Sequence, residues 1–269
     1  MLSDSRVSWK GSLEPNIRNK YDNTQKIFYL KNSIDVFGYC GDIQFGFSII
    51  SQIISYLDIS VDFTSSNDIV AKKQIIENLL VEKSNNYPAL ELSGGFKIFW
   101  NSLTNNQLFS FAFGLSKNGE IIEPEIFTFP IVTGLVFYDG SGGKYYESAL
   151  RNLGTVTNEK ETLNNYSRNY FKALADVIES SIDPKTGGSP QMISIRLHEK
   201  DIKPVGFMFN SSYYIFGIED KHNVDLSKTE FRDLNYNFLK PDGTTNNNYR
   251  DSYTRKLNLV EWKETVINL

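Results

Sequence analysis

An acid and a base stand two positions apart near the start of the chain, as Asp4 and Arg6 in the segment Leu2–Trp9. The apolar residues of this segment favour a β-strand. In a strand both side chains would project from the same face, because side chains alternate with period two. Such a pair is either a weak ion pair on the surface or part of a site, and the two residues alone favour the surface pair.

Two other charged residues also have simple structural explanations. Lys26 begins a short predicted strand over Lys26–Leu30, where a solvated lysine is common. Asp183 precedes Pro184, and a residue before proline commonly ends a helix. Neither residue indicates a site by itself, so any chemistry must come from their combination with other segments.

Other kinds of site are disfavoured by the residues. Gly140–Gly143 with Lys144 resembles a phosphate-binding loop, but Tyr145 stands where such a loop needs Ser or Thr. His198 and His222 are the only histidines, and they lack the spacing of zinc ligands and the partners of a Ser-His-Asp triad. We therefore expect no cofactor and no metal.

The composition is that of an ordinary globular protein of 269 residues, with 40% hydrophobic and 22% charged residues. The net charge of −4 gives no reason to expect a nucleic-acid or membrane-surface partner, and no apolar run reaches the roughly 18 residues that a membrane span needs. The one cysteine, Cys40, ends an apolar strand, where a buried structural thiol is commoner than a nucleophile. Without a disulfide or a secretory signal, we expect a cytoplasmic protein.

The predicted elements run in the order strands, two helices, strands, two helices, strands. Asp42 can cap the first helix, and the second follows Ser66 or Asn67 with Lys72 on its solvent face. Asn118-Gly119 is the strongest hairpin signal, because a type I′ turn needs positive φ at both central positions. The buried stripe predicted for the first helix comprises Ile43, Phe47, Ile50, Ile54 and Leu57, with Phe45, Ile49 and Ile53 on a second apolar face.

Separate blocks of strands and helices predict an α+β fold rather than a parallel sheet with crossover helices. Two antiparallel sheets covered by helix pairs would form a four-layer αββα sandwich.

Five short segments, in one order along the chain, resemble the proteasome β-subunit family of N-terminal-nucleophile hydrolases. They are Asp4-Ser5-Arg6, Lys26, Gly38–Asp42, Gly140-Ser141-Gly142 and Asp183–Gly188. Each is a weak signal alone, but helix pairs separate them as in the family. The resemblance covers residues 1–218, which we expect to form one domain, and leaves 219–269 as a C-terminal extension of unknown role.

The resemblance implies a mechanism in which the side chain of the first residue attacks an amide carbonyl, assisted by its own free amine. Lys26 would be the cation beside this nucleophile, Asp4 would orient Lys26, and the Gly41 N–H would stabilise the oxyanion. The residues that would hold the terminal amine and its water are Asp183, Thr186 and Ser141. Those that would contact substrate are Val7, Ser8 and Tyr39.

The chain departs from the family at its start. In the family Asp-Ser-Arg lies on the second strand, whereas here Met1 stands shortly before Asp4. We therefore expect the first strand and the nucleophile to be absent from this sequence. Either the natural chain starts further upstream, or the protein is a relative without a nucleophile, or a partner supplies the strand. The edge at Leu2–Trp9 would then be open to a partner chain or to a second copy in a homo-oligomer.

These expectations lead to two candidate functions. The first is hydrolysis of a peptide or amide substrate by a proteasome-like hydrolase when its nucleophile is present. The second is a noncatalytic subunit that supports or binds within a self-associating complex. A lysine kept between carboxylates favours the first, because burying such a group is costly without a use.

Overall fold

The computed structural model describes residues 1–8, 20–86, 95–115, 121–127, 137–154, 167–221, 224–225, 228–240 and 243–246. The strands within this part are β1 (Leu2–Ser3), β2 (Val7–Ser8), β3 (Lys20–Tyr21), β4 (Ile27–Tyr29), β5 (Asp35–Gly41), β6 (Phe96–Thr104), β7 (Gln107–Leu115), β8 (Ile121–Phe127), β9 (Gln191–Arg196), β10 (Asp201–Phe209), β11 (Ser212–Ile215), β12 (Ile218–Glu219) and β13 (Glu230–Arg232). The helices are α1 (Ile43–Ile59), α2 (Val61–Thr64), α3 (Ile69–Asn86), α4 (Gly143–Asn152) and α5 (Ser167–Ser180). The protein is therefore α+β, as the order of predicted elements indicates.

One sheet has five strands in the order β4-β5-β6-β7-β8, each antiparallel to its neighbour. Asn105 and Asn106 connect β6 to β7 in a tight hairpin, and both have positive φ, 51° and 63°, as a type I′ turn requires. The prediction missed this turn, because two asparagines are a weaker signal than an Asn-Gly pair. The turn predicted at Asn118-Gly119 lies outside the described residues.

A second sheet has the order β1-β9-β10-β11-β12, and β13 pairs with β10 as a parallel strand. A separate small sheet is formed by β2 and β3. The prediction of one strand over Leu2–Trp9 is wrong within the described residues, because Leu2–Ser3 and Val7–Ser8 belong to different sheets. Between them the Ser5 N–H donates to the Gly187 carbonyl, which draws the chain away from both ladders.

Helices α1 and α3 cover one face of the five-stranded sheet and share its largest apolar core. Trp100 is fully buried in this core and stacks on Phe37 and Phe111. The short helix α2, which the prediction missed, begins at the N-cap Ser60 and buries Phe63 against Trp100.

The buried side of α1 differs from the predicted stripe. Ile50 and Leu57 are buried as predicted, but Phe47 is 57% exposed, so its assignment to the core is wrong. Ile49 and Ile53, predicted on a second apolar face, complete the buried side instead. Several spacings of apolar residues fit this helix, and only the direction of the sheet decides which one is buried.

Smaller apolar clusters join the other elements. Ile27 and Val36 of the five-stranded sheet pack with Ile193 of the second sheet. Phe171 of α5 stacks on Phe207 of β10, with ring centroids 4.4 Å apart. The second sheet continues past residue 218 through β12 and β13. Among the described helices, none combines the length and apolarity that a membrane crossing requires.

An ion pair lies inside the core between α3 and the five-stranded sheet. Lys72 Nζ is 2.9 Å from Asp35 Oδ2, and the two side chains are 3% and 0% exposed. Asp35 also accepts hydrogen bonds from Trp100 Nε1 (2.8 Å) and Ser33 Oγ (2.6 Å). The predicted placement of Lys72 on the solvent face is therefore wrong, because its partner lies on a strand that the helix periodicity does not reveal.

Candidate active site

The centre of the candidate site is an ion pair between Asp4 and Lys26. Lys26 Nζ lies 2.7 Å from Asp4 Oδ1, and the side chains are 15% and 13% exposed. Asp4 stands between β1 and β2, and Lys26 directly precedes β4. The pair is thus partly shielded from water, where an ion pair is stronger than on the open surface.

The second oxygen of Asp4 connects this pair to a loop from the other end of the fold. Asp4 Oδ2 accepts the Gly187 N–H (3.0 Å) and the Arg6 N–H (3.3 Å). Gly187 belongs to the turn-rich segment 183–188 that follows α5. Asp4 therefore holds the lysine and the loop at once, and its charge is satisfied by backbone donors as well as by the ammonium group.

A cluster of hydroxyl groups surrounds Asp183 in the same loop. Asp183 Oδ2 accepts hydrogen bonds from Ser141 Oγ (2.8 Å) and Thr186 Oγ1 (2.6 Å), and Oδ1 accepts the Lys185 N–H (3.1 Å). Ser141 comes from the glycine-rich turn before α4. A Cβ atom at Gly142 would lie 2.5 Å from Thr186 Oγ1, so glycine is what lets the two loops meet.

Arg6 fastens this loop to the N-terminal segment. Its guanidinium group binds Asp22 through Nε–Oδ1 (2.5 Å) and Nη2–Oδ2 (2.9 Å), and Nη1 donates to the Thr186 carbonyl (3.3 Å). Arg6 holds the pKa of Asp22 below its ordinary value. The acid that pairs with Arg6 is therefore Asp22, which belongs to none of the five segments of the resemblance and carries no signal of its own in the sequence. The surface pair that strand alternation favoured for Asp4 is wrong.

The remaining predicted residues lie outside these two hydrogen-bonded groups. Val7 is buried in β2 opposite Tyr21, and Ser8 is half-buried opposite Lys20. Gly41 ends β5 with a φ of 106°, and a Cβ atom there would lie 2.9 Å from Phe96 Cα. Glycine is thus required at position 41 by the close approach of β6. This requirement is independent of the predicted role of the Gly41 N–H as a donor to the oxyanion.

Tyr39 and Cys40 are held in protonated form by their surroundings. Tyr39 is 5% exposed in the core under α1, and burial, aided by the charge of Asp4, raises its pKa to about 12. Burial likewise raises the pKa of the Cys40 thiol to about 12. A thiol that stays protonated at neutral pH is a poor nucleophile. Contact of Tyr39 with substrate stays a prediction.

The described residues offer no group of three His, Cys, Asp or Glu side chains that could hold a metal ion. The arrangement offers a fixed ammonium group, two oriented hydroxyl groups and two carboxylates. These can orient an amine or a water molecule and stabilise negative charge that develops near Lys26.

The hydrogen bonds of Asp183 predict that the stability of the fold depends on pH in the acidic range. Burial raises the pKa of Asp183, but the hydrogen bonds from Thr186, the Lys185 N–H and Ser141 outweigh it, so the net pKa lies below the ordinary 3.8. A carboxylate with a lower pKa in the folded state stabilises the protein above its unfolded pKa, and this contribution is lost as the pH falls through the folded pKa.

We expect the free energy of unfolding to decrease as the pH falls below about 4, and to decrease less in Asp183→Asn. Urea denaturation of both proteins between about pH 6 and pH 3 measures the difference. Asp176→Asn is the control, because Asp176 forms an i,i+4 pair with Lys172 on the surface of α5. Equal acid dependence in the wild type and Asp183→Asn would contradict the prediction.

Comparison with known proteins identifies the fold. No family model matches the chain, and no curated protein matches it. The solved structure of an Anbu (Gly-1) mutant from Hyphomicrobium sp. strain MC1 matches with a TM-score of 0.50 and 11% sequence identity, covering 82% of each chain. The chain has a proteasome-like fold.

Two other solved structures are similar to a lesser degree. Anbu (ancestral beta-subunit) from Yersinia bercovieri has a TM-score of 0.48 and 11% identity, covering 80% of this chain and 77% of its own. The helical assembly of the Anbu complex from Pseudomonas aeruginosa has a TM-score of 0.43 and 12% identity, covering 82% of each chain.

Assignment of the chain to the proteasome β-subunit family is wrong. No family model matches, and the similar structure with a TM-score of 0.50 is that of an Anbu protein at 11% identity. The order of the short motifs therefore indicates the fold and not membership of that family. A fold determines where turns and helix starts occur, but it does not determine function.

Proposed function

We propose that the protein hydrolyses amide bonds of peptide substrates, with a mechanism of the N-terminal-nucleophile type. The observation that carries this proposal is the Asp4–Lys26 ion pair, which the Gly187 N–H links to the loop that holds Asp183. The ammonium group of Lys26 is held in a fixed, partly shielded position, and the linked loop carries two hydroxyl groups oriented by Asp183. A cation in such a position suits a step in which negative charge develops.

The proposed reaction takes place when a longer natural chain, which starts upstream of Met1, supplies a terminal Thr, Ser or Cys next to Lys26. This residue attacks the substrate carbonyl. Its free amine accepts the proton from the attacking group, and the carbon–nitrogen bond breaks as the proton passes to the leaving amine. Lys26 stabilises the developing charge, and Gly41 supplies an N–H to the oxyanion. Ser141, Asp183 and Thr186 hold the amine. Water then hydrolyses the acyl intermediate and regenerates the nucleophile.

The architecture proposed for this activity is the four-layer αββα sandwich over residues 1–218. The apolar contacts between α1 and β5, between β4 and β9, and between α5 and β10 support that order of layers. We also propose that a C-terminal extension begins at residue 219, and its described strand β13 pairs with β10. The free Cys40 suits a reducing cytoplasm.

The Lys26→Ala variant tests the proposal. We expect kcat/KM for fluorogenic peptide amides to fall at least about 100-fold, because the cation that stabilises the transition state is removed. The fold should persist, since Asp4 keeps hydrogen bonds from the Gly187 and Arg6 N–H groups and, unlike the fully buried Asp35, is 13% exposed to water. Lys172→Ala, on the surface of α5, is the control for loss of a lysine. Retained turnover in a folded Lys26→Ala protein would refute the role of Lys26.

Intact mass and N-terminal sequencing of the protein from its native locus identify the attacking residue. A free terminal Thr, Ser or Cys that a peptide β-lactone acylates supports the hydrolase proposal.

The alternative is a noncatalytic subunit of a self-associating complex. The observation that favours it is apolar surface on α1 and α2, where Phe47, Ile59 and Val61 are 57%, 78% and 72% exposed. Stable oligomers in sedimentation velocity, together with no turnover and no acylation, would favour this second function.

A further inference from the structure

The side chain of Gln191 makes two hydrogen bonds to the backbone on either side of Gln25. Gln191 is the first residue of β9 and is 0% exposed. Its Oε1 accepts the Lys26 N–H at 3.0 Å, and its Nε2 donates to the Thr24 carbonyl at 2.6 Å. The side-chain amide of Gln191 thus makes the two hydrogen bonds that a neighbouring β-strand would otherwise make to the backbone at Lys26.

These bonds fix Lys26 from the side of the second sheet. The Lys26 carbonyl accepts the Tyr39 N–H of β5 (3.3 Å), so the five-stranded sheet holds one side of this residue and Gln191 holds the other. The backbone of Gln191 pairs with Ser3 in the second sheet. Gln191 therefore joins the two larger sheets at Lys26, and Asp4 is only one residue from the strand that Gln191 pairs with.

We infer that Gln191 is a positioning residue for Lys26. Its catalytic meaning rests on the proposed function, whereas its hold on the Lys26 backbone does not. The role requires an amide, because one end must accept and the other must donate. The enclosure is tight: a Cβ atom at Gly217, which has a φ of 82°, would lie 3.2 Å from Gln191 Nε2. Water cannot readily replace either bond in a site so closely packed.

Two substitutions separate the two bonds of Gln191. Gln191→Met keeps the length of the side chain and removes both bonds. Gln191→Glu keeps an acceptor for the Lys26 N–H but places a second acceptor opposite the Thr24 carbonyl. The control is Ser102→Ala, which removes a buried hydrogen bond to Thr104 at the end of β6 opposite Asp35, away from Gly41.

Amide hydrogen exchange, measured residue by residue by NMR, reports the state of the Lys26 N–H in each folded protein. The exchange rate at Lys26 is divided by the rates of the β7 amides in the same protein, and this ratio is compared with that of the wild type. We expect the ratio to rise at least about tenfold in Gln191→Met and about threefold in Gln191→Glu. It should stay unchanged in Ser102→Ala. The ratio of the exchange rate at Lys26 to the exchange rates in β7 does not change when the whole protein loses stability. A purely structural role of Gln191 would therefore leave this ratio unchanged.

The result that overturns the inference is a Lys26 exchange ratio in Gln191→Met equal to those of the wild type and Ser102→Ala. If Gln191→Met fails to fold, an unchanged ratio in Gln191→Glu has the same meaning. Where the wild type hydrolyses peptide amides, kcat should fall about tenfold in Gln191→Met with little change in KM, because a bound substrate meets a misplaced ammonium group. Absence of turnover in the wild type would refute the hydrolase proposal, while hydrogen exchange would still decide the role of Gln191.

Discussion

The substitution Lys72→Met is expected to lower the free energy of unfolding by about 3 to 5 kcal/mol. The methionine side chain retains most of the apolar stem, so loss of packing contributes little. The effect comes from Asp35, whose fully buried carboxylate would lose its counterion. The hydrogen bonds from Trp100 and Ser33 remain, but two neutral donors cannot replace the ammonium group at an anion without water.

The neighbouring lysine provides the matched control. Lys73 lies on the same helix and forms an i,i+4 pair with Glu77 at 3.5 Å, with side chains 25% and 19% exposed. Its replacement by methionine should cost less than about 0.5 kcal/mol. The double variant Asp35→Asn with Lys72→Met should be more stable than Lys72→Met alone, since a neutral amide can still accept the Trp100 N–H. Urea denaturation measures all of these proteins, and a loss below about 1 kcal/mol in Lys72→Met would contradict the argument.

Gly188→Ala is the second substitution with a large expected effect, about 3 to 5 kcal/mol of destabilisation. Gly188 has a φ of 70°, which strains any residue with a Cβ atom. The added Cβ would also overlap the Asp22 carbonyl oxygen and Ser5 Oγ. The backbone oxygen cannot move without loosening the segment that Arg6 holds, so the overlap must be relieved by displacing the loop of the site.

Gly243→Ala separates the backbone strain from the overlap. Gly243 has a φ of 81°, similar to that of Gly188, and a Cβ atom there would meet only the Tyr213 hydroxyl oxygen, at 3.4 Å. Its substitution should therefore cost only the backbone strain, about 1 to 3 kcal/mol. We expect thermal unfolding of Gly188→Ala to occur well below that of Gly243→Ala. Equal melting temperatures would show that the contacts of Gly188 with Asp22 and Ser5 carry no energetic weight.

Local patterns in the sequence were sufficient to predict those helices and strands that depend on the spacing of apolar residues. The helix that follows Asp42 was predicted from spacing alone. Burial of Lys72 and exposure of Phe47 were not predictable in this way. Each depends on which side of its helix meets the sheet, and the helix periodicity allows more than one answer.

The site was predictable only in part. The resemblance grouped Asp4 with Lys26, and Ser141 with Asp183 and Thr186, and the structure places each group within hydrogen-bonding distance. Their catalytic roles stay predictions. Alternation alone paired Asp4 with Arg6, because it assumed a continuous strand where the chain in fact turns at Ser5.

The roles of Asp22 and Gln191 could not be predicted from the sequence. Each acts through a partner far away along the chain: 16 residues separate Asp22 from Arg6, and 165 separate Gln191 from Lys26. Neither residue belongs to a motif, and the backbone contacts of a glutamine side chain leave no pattern in residue types. Such supporting residues become visible only when the two sheets are placed side by side.

The link between Asp4 and Gly187 also sets an order of events during protein synthesis. These residues are 183 positions apart, so about two thirds of the chain must be made before the link can form. The N-terminal acid, Lys26 and the five-stranded sheet leave the ribosome first and cannot complete the site. Closing so long a loop also costs more entropy than any local contact in the chain. An arrested nascent chain that ends before Asp183 should therefore contain Lys26 but lack the loop that packs against it. The Asp4–Lys26 ion pair should be among the last regions of the protein to become protected from solvent.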